Sequence, residues 1–277
     1  VEVTDVTDWY VITDEPEGQD ENKLWLSKSP GADRDNWWLW KPRLGTGKNK
    51  AHPRYSDVAE VLAFRLAQRI GLPAAECELA TFRNKPGAIS RNLTPDGTDL
   101  IHGNNLAPFM PYSLATIDLM LTSDIGVPPQ CEGMSARQVF AGYLVLDAWI
   151  ANTDRHGENW AVVEDDQRRT TLLPAYDHGS ALGSGLTDDR RLSRSLAAFC
   201  EAGRTRHFAE GGTLLDLAAT AVQTSGASWW PQRVADVPPE HWRGILGGIE
   251  GLSDVARTFI DGILTTNQER VSTLCRR

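Results

Sequence analysis

Between Tyr143 and Gly183 the chain reads YLVLDAWIANTDRHGENWAVV, then a charged turn over Glu164 to Thr170, then LLPAYDHGSALG. Apolar residues at helical spacing run into a polar loop around Asp154, and two short apolar segments of strand character flank the charged turn. A helix that feeds a loop and then a hairpin leaves few arrangements open. It sets Asp154 and Asn159 at the mouth of the hairpin, with Asp177 just past the second strand.

The spacing of these three residues has a chemical meaning. Asp154 and Asn159 stand five positions apart in one loop, and Asp177 directly precedes His178 and Gly179. Phosphoryl transfer uses a loop Asp to orient the attacking hydroxyl, with an Asn five residues later and the Asp of a D-x-G turn to hold magnesium. Magnesium is a hard cation that takes oxygen ligands, and these side chains supply them. Turn formation alone accounts for Asp and Asn in a loop; the added D-x-G after a strand favours the phosphoryl-transfer reading. A zinc site at His156 and Asp154 lacks a Cys or a second nearby His, so His156 reads as a support for the loop. Asp147 interrupts the apolar run and would need hydrogen-bond partners if buried, which makes it a brace for the loop. Asn152 reads as a helix-terminal residue.

The H-R-D order of eukaryotic protein kinases is absent, since Asn152 and Thr153 precede Asp154 while Arg155 and His156 follow it. DAWIANTDRHGENW with PAYDHGSALG resembles instead the HipA-like serine/threonine kinases of bacteria, especially their compact members. The resemblance extends from Leu24 to Gly183. It implies an α+β, two-lobed protein-kinase-like fold, with ATP and Mg2+ in the cleft and transfer to a Ser or Thr hydroxyl of a protein substrate. Toxin or effector activity, autophosphorylation and an antitoxin-like partner follow from the family alone. The extra N-terminal subdomain of the larger members is expected to be absent, since little chain precedes Leu24.

Residues 1–95 are expected to form the front lobe and 96–277 the back lobe. Lys23 to Arg43 reads as strand, turn and strand, with Trp37, Leu39 and Lys41 on one face and Trp38 and Trp40 on the other. Alone, Lys41 is an ordinary surface lysine; the resemblance gives it the nucleotide phosphates and assigns the loop at Ser29 and Gly31 to the same nucleotide. That loop has Gly31 where G-x-G-x-x-G would stand. LGTGKNK, from Leu44 to Lys50, fails as a Walker loop because Pro42 occupies the first Gly position and Asn49 the Ser or Thr. Asp57 to Ile70 reads as a helix ended by Gly71 and Pro73. Its Glu60 either closes a capping arrangement with Asp57 or, by the resemblance, positions Lys41 in an ion pair. Cys77 to Leu93 reads as a hairpin with its turn at Asn84 to Gly87, Thr94 to Gly97 as a hinge, and LIHGNNLAP as irregular connector.

In the back lobe, Ser113 to Thr122 and Ser135 to Ala151 are expected helices, and Ser184 to Ser195 a flexible segment. Three amphipathic helices follow, in LLDLAATAVQ, PEHWRGILGGI and SDVARTFIDGILTTNQERVSTL. Arg190, Arg191 and Arg194, then Arg204, Arg206 and His207, form two basic clusters that read as solvated faces or a substrate-docking surface. The SKSPG segment makes Ser27 or Ser29 the expected autophosphorylation site under the resemblance; polar turn chemistry is the plainer alternative.

Composition limits the remaining classes. The chain has 277 residues, of which 41% are hydrophobic, and no apolar run approaches the roughly 20 residues of a membrane helix. A net charge of -9 argues against general nucleic-acid binding. Four scattered cysteines without C-x-x-C spacing fit a reducing compartment, and with no secretory signal at VEVTDVTDWY the cytoplasm is the expected location. A small-molecule or lipid kinase, a nucleotide-binding pseudokinase acting as an interaction module, and a nucleotidyl transferase would share the same cleft residues.

Overall fold

The computed structural model describes residues 1–12 and 23–276. Its front lobe runs β1 (Val3–Asp5), β2 (Tyr10–Val11), β3 (Leu24–Ser27), β4 (Trp37–Pro42), β5 (Gly45–Thr46), β6 (His52–Pro53), α1 (Ser56–Arg69), β7 (Cys77–Phe82) and β8 (Lys85–Arg91). Six of these strands form one curled sheet in the order β1-β7-β8-β4-β3-β2. All its pairings are antiparallel except β1 against β7. β5 and β6 make a separate two-stranded hairpin.

Period-two alternation gives this sheet two different faces. Leu26, Trp38, Trp40, Ala80, Phe82 and Ile89 point one way and form a small core with Val6. On the other face Cys77, Leu79 and Ala88 join the main core with α1, while Trp37, Leu39 and Lys41 line a cleft. The alternation expected along β4 is thus present.

The back lobe continues through β9 (Asp99–His102), α2 (Gly103–Leu106), α3 (Leu114–Met120), α4 (Ala136–Ile150), β10 (Ala161–Glu164), β11 (Thr170–Leu172), α5 (Asp188–Ser193), α6 (Leu196–Glu201), α7 (Leu214–Ser225), α8 (Trp229–Ala235), α9 (Pro239–Gly247) and α10 (Asp254–Ser272). Helix α4 is the buried axis, with Ala136 and every residue from Val139 to Ile150 buried. It begins in a capping box of Ser135 and Gln138, which satisfies two orphan N–H groups. It ends at Ala151 in the left-handed conformation, φ 52°. That reversal turns the chain out of the helix into the polar loop. Trp149, fully buried, stacks edge-on against Trp242 and donates from Nε1 to the Leu264 carbonyl, locking α4 to α9 and α10.

The α+β two-lobed architecture is the one expected, and four local expectations are corrected. Two strands, β1 and β2, precede the first expected strand; they are two or three residues long and too short to show periodicity. The β7–β8 turn lies at Arg83 and Asn84, both left-handed at φ 50° and 62°, while Lys85 to Gly87 belong to β8. Left-handed residues at both central positions match the twist of a tight hairpin. The LIHGNNLAP connector contains β9 and α2, with β9 pairing antiparallel to β10; a four-residue strand whose partner lies some 60 positions on (Ala161 opposite His102) has no local signature. Ser184 to Ser195, expected to be flexible, contains the whole of α5 and buries Arg191, which pairs with Asp188 at 2.8 Å and donates to the Gly183 carbonyl.

The small core of the front sheet gives a direct test. Trp40 is 2% exposed and packs on Phe82 at 6.0 Å between ring centroids. Truncation to alanine at such a site costs about 3–5 kcal/mol. Trp40→Ala should lower urea stability by that amount; a loss below about 1 kcal/mol would show that this cluster does not hold the sheet.

Candidate active site

The cleft between the lobes has a volume of about 750 Å³ and is bounded by Trp25, Leu39 and Lys41 of the sheet and by His156, Asn159 and Asp177 of the back lobe. Small-molecule sites occupy roughly 300–1,000 Å³.

Lys41 spans it. Its Nζ donates to Glu60 Oε1 at 2.8 Å and to Asp177 Oδ1 at 3.1 Å. Glu60 does not cap α1, whose N-terminus has no side-chain cap. Its second oxygen, Oε2, accepts from the His178 backbone N–H at 3.0 Å, so one buried carboxylate fastens the strand lysine to the D-H-G turn. Asp57 is occupied instead by Arg43, at 2.8 Å. Burial opposes the Lys41 charge, but Glu60 and Asp177 outweigh it and hold the ammonium's pKa above the ordinary lysine value. Lys41 in turn holds Asp177 below the ordinary carboxylate range against the pull of burial. Burial pushes Glu60 upward, and the neighbouring Asp177 charge adds to that. Behind the pair lies Cys77, a thiol that burial pushes up to about 12.

Asp177 sits at φ 60°, a left-handed conformation that Asp tolerates better than most residues. The turn exposes its carboxylate to the cleft and aims the next N–H back at Glu60.

Arg155 organises the loop on the other side. Only 1% exposed, it donates from Nε to Asp147 Oδ2 and from Nη2 to Asp147 Oδ1, both at 2.8 Å. Nη1 donates to the Asn159 carbonyl and, at 3.4 Å, to that of Tyr176. Nη2 also lies 3.2 Å from His178 Nε2. Guanidinium has no acceptor, so His178 Nε2 is unprotonated and Nδ1 carries the proton. Asp147 accepts a further bond from Asn152 Nδ2 at 2.7 Å, and Asn152 Oδ1 accepts from the Asp154 N–H. Asp147 is therefore the brace its position in the apolar run suggested.

Asn159 Nδ2 donates to the Asp154 carbonyl at 2.6 Å, which leaves Oδ1 as the amide atom able to ligate a cation. The Asp154 carboxylate is held from two sides: Ser180 Oγ donates to Oδ2 and His207 Nε2 lies against Oδ1, each at 3.1 Å. His156 lines the cleft and stacks edge-on with His207 at 5.2 Å. The loop is clasped from behind by the connector, where the Asn104 N–H donates to the Gly157 carbonyl at 3.1 Å. A side chain at Gly157 would run into Asn104.

Lys41, His156, Asn159 and Asp177 line the cleft; Glu60 and Asp154 lie outside that lining but are bonded to Lys41 and Asn159 respectively, and two proposed residues stand apart. Ser29 and Gly31 lie on the exposed turn after β3, outside the cleft lining; Arg34, at the end of that turn, lines it. Ser27 is buried and its hydroxyl donates to the Ser29 carbonyl at 2.7 Å. Four contributors were not found by sequence reasoning: Arg155, His178, Ser180 and His207. The first had a signal, since a buried Asp147 demands a cation and Arg155 is close in sequence. His207, 53 positions from Asp154, had none.

Burial first, and then the Arg155 charge, push His178 well below the ordinary histidine pKa. It stays neutral in the folded protein, while in the unfolded chain it takes up a proton below about pH 6.5. Stability should therefore fall as the pH drops through that value, by up to about 1.4 kcal/mol per pH unit from this one group. Denaturant melts of His178→Gln between pH 7 and 5 should show a slope shallower by that amount; identical slopes would refute the assignment.

No protein-family model matches the chain, and no curated protein sequence matches it. Among solved structures it is similar to the Helicobacter pylori proinflammatory kinase CtkA, at 17% identity over 99% of this chain and 96% of that one, with a TM-score of 0.78. HipA of Shewanella oneidensis MR-1, solved with HipB and operator DNA, aligns at 10% identity over 91% of this chain and 58% of its own, with a TM-score of 0.46. From end to end, the chain has the fold of the kinase CtkA.

Proposed function

We propose that this protein is an ATP- and Mg2+-dependent kinase that transfers the γ-phosphoryl group to a Ser or Thr hydroxyl of a protein. The observation that carries this reading is Lys41 held between Glu60 and Asp177 at the cleft that Asn159 also lines. The shared fold with a kinase supports the same chemical class. Toxin or effector activity and an antitoxin-like partner rest on the sequence resemblance alone.

The donor set fits magnesium: the Asp177 carboxylate and Asn159 Oδ1 are hard oxygen ligands, and the Asn159 amide is already oriented by its bond to the Asp154 carbonyl. Asn159 and Asp177 would hold the ion, which when bound neutralises phosphate charge. Lys41, kept charged by its two carboxylates, binds phosphate oxygens. Asp154, its carboxylate fixed by Ser180 and His207, orients the acceptor hydroxyl and takes its proton late. This is catalysis by alignment and preorganised charge; no covalent intermediate on the protein is needed.

Incubation with ATP, Mg2+ and a candidate acceptor followed by intact-mass measurement separates phosphate from AMP addition, and acceptor identity separates a protein kinase from a small-molecule or lipid kinase. Asp154→Ala should abolish transfer, by about 10²-fold or more, while nucleotide titration stays near wild type. Transfer at the wild-type rate would remove Asp154 from the chemistry.

Glu60→Gln should lower turnover by roughly one to two orders of magnitude by releasing Lys41. A lowered Tm with unchanged turnover under folding conditions would make Glu60 a purely structural residue. Of the two serines proposed for autophosphorylation, Ser29 is exposed and Ser27 buried, so phosphopeptide mapping should find phosphate on Ser29, absent in Asp154→Ala. An active enzyme with Ser29 unmodified would end that proposal.

A further inference from the structure

Beside the catalytic loop, on the side of Thr153, lies a second cavity of about 300 Å³. Its floor is made of Ala198, Phe199, Ala202 and Gly203, and its rim carries Arg194 and Arg204. These two arginines come from different segments, one before α6 and the other after it. Both are exposed, and neither makes an ion pair among the described residues. The carboxylate that feels Arg204, Asp216, is already engaged by the Thr213 N–H and hydroxyl at 2.9 and 2.8 Å.

The local charge runs against the whole. The chain carries -9, yet between Arg190 and His207 there are five arginines and a single acid, Glu201. Acidic residues are plentiful in this protein, yet among the described residues neither guanidinium sits in an ion pair while the two share a cavity. Two cations at one recess, whose other walls are Phe199 and small residues, suit an anion chemically, since guanidinium binds carboxylate and phosphate in a planar fork. Thr153, also on the cavity wall, is the immediate neighbour of Asp154, one Cα step of about 3.8 Å away.

We infer that this cavity reads an anionic side chain of the acceptor polypeptide, a carboxylate or a phosphate, within about three residues of the hydroxyl presented to Asp154, given roughly 3.3 Å per residue of extended chain. The inference rests on the kinase reading for the position of the acceptor and names the acceptor class: a Ser or Thr segment with acidic or previously phosphorylated flanks. Arg194 and Arg204 are specificity residues; they do not take part in the transfer.

The test uses fluorescent Ser-containing peptides whose flanks carry Asp, phosphoserine or Lys, with binding read by anisotropy and transfer by mass. Because the net charge of the protein repels acidic peptides, a preference for them has to arise locally. Wild-type protein should bind the Asp or phosphoserine peptides roughly five- to tenfold more tightly than the Lys peptide, the factor expected from two exposed charge contacts. The two acidic arms identify which anion is read. Arg194→Glu/Arg204→Glu should reverse the order, while the charge-matched Arg83→Glu/Lys85→Glu, at the far turn of the front sheet, should keep it. Equal binding of acidic and basic peptides by wild type, or loss of preference in the far-turn control, overturns the inference. Acidic preference without phosphoryl transfer sinks the kinase reading and leaves the anion site standing; transfer without acidic preference does the reverse.

Discussion

The buried pair of Arg155 and Asp147 is the contact on which the back half of the cleft depends. Removing two charges from water costs several kcal/mol per ion, and the attraction repays it only with good geometry and further hydrogen bonds. Both conditions hold here: two bonds of 2.8 Å join the pair, and every remaining oxygen or nitrogen contact of the guanidinium ties down another part of the site. One end of the network is the last turn of α4, the other the D-H-G turn. The loop bearing Asp154 and Asn159 is thus referenced to the most deeply packed helix of the molecule. Loss of either partner would strand a charge in the core, a defect worth about 3–5 kcal/mol.

The front half is referenced to the same point by a different route. Glu60 touches both Lys41 and the His178 backbone, while His178 lies against Arg155. A chain of contacts therefore runs from β4 through α1 and the D-H-G turn into α4. Two carboxylates share a single ammonium in this chain, and the turn that presents Asp177 holds a left-handed backbone. Charge crowding and a left-handed backbone thus meet at the cleft, an arrangement common at functional sites.

Much of this was legible in the sequence because it depends on local pattern. The alternation along β4 set Lys41 opposite Trp38 and Trp40, the apolar run of α4 ended where the polar loop began, and D-x-G followed a strand. Features that depend on distant pairing were not legible. Strand β9 is four residues long and meaningful only beside β10; β1 is three residues long and paired in parallel to β7, where alternation cannot be recognised. The positive φ values at Arg83 and Asn84 moved a turn from the Pro-Gly that sequence favours to a pair without glycine. His207 reaches Asp154 from a loop after α6, a juxtaposition set by helix packing and not by spacing.

Cys77 carries a last consequence. Its sulfur lies beneath the Lys41–Glu60 pair, 2% exposed, with burial keeping the proton on sulfur to about 12. Only the thiolate attacks electrophiles or enters oxidation. At neutral pH the sulfur beside Lys41 and Glu60 therefore stays a buried, protonated thiol of low reactivity toward oxidants and alkylating reagents.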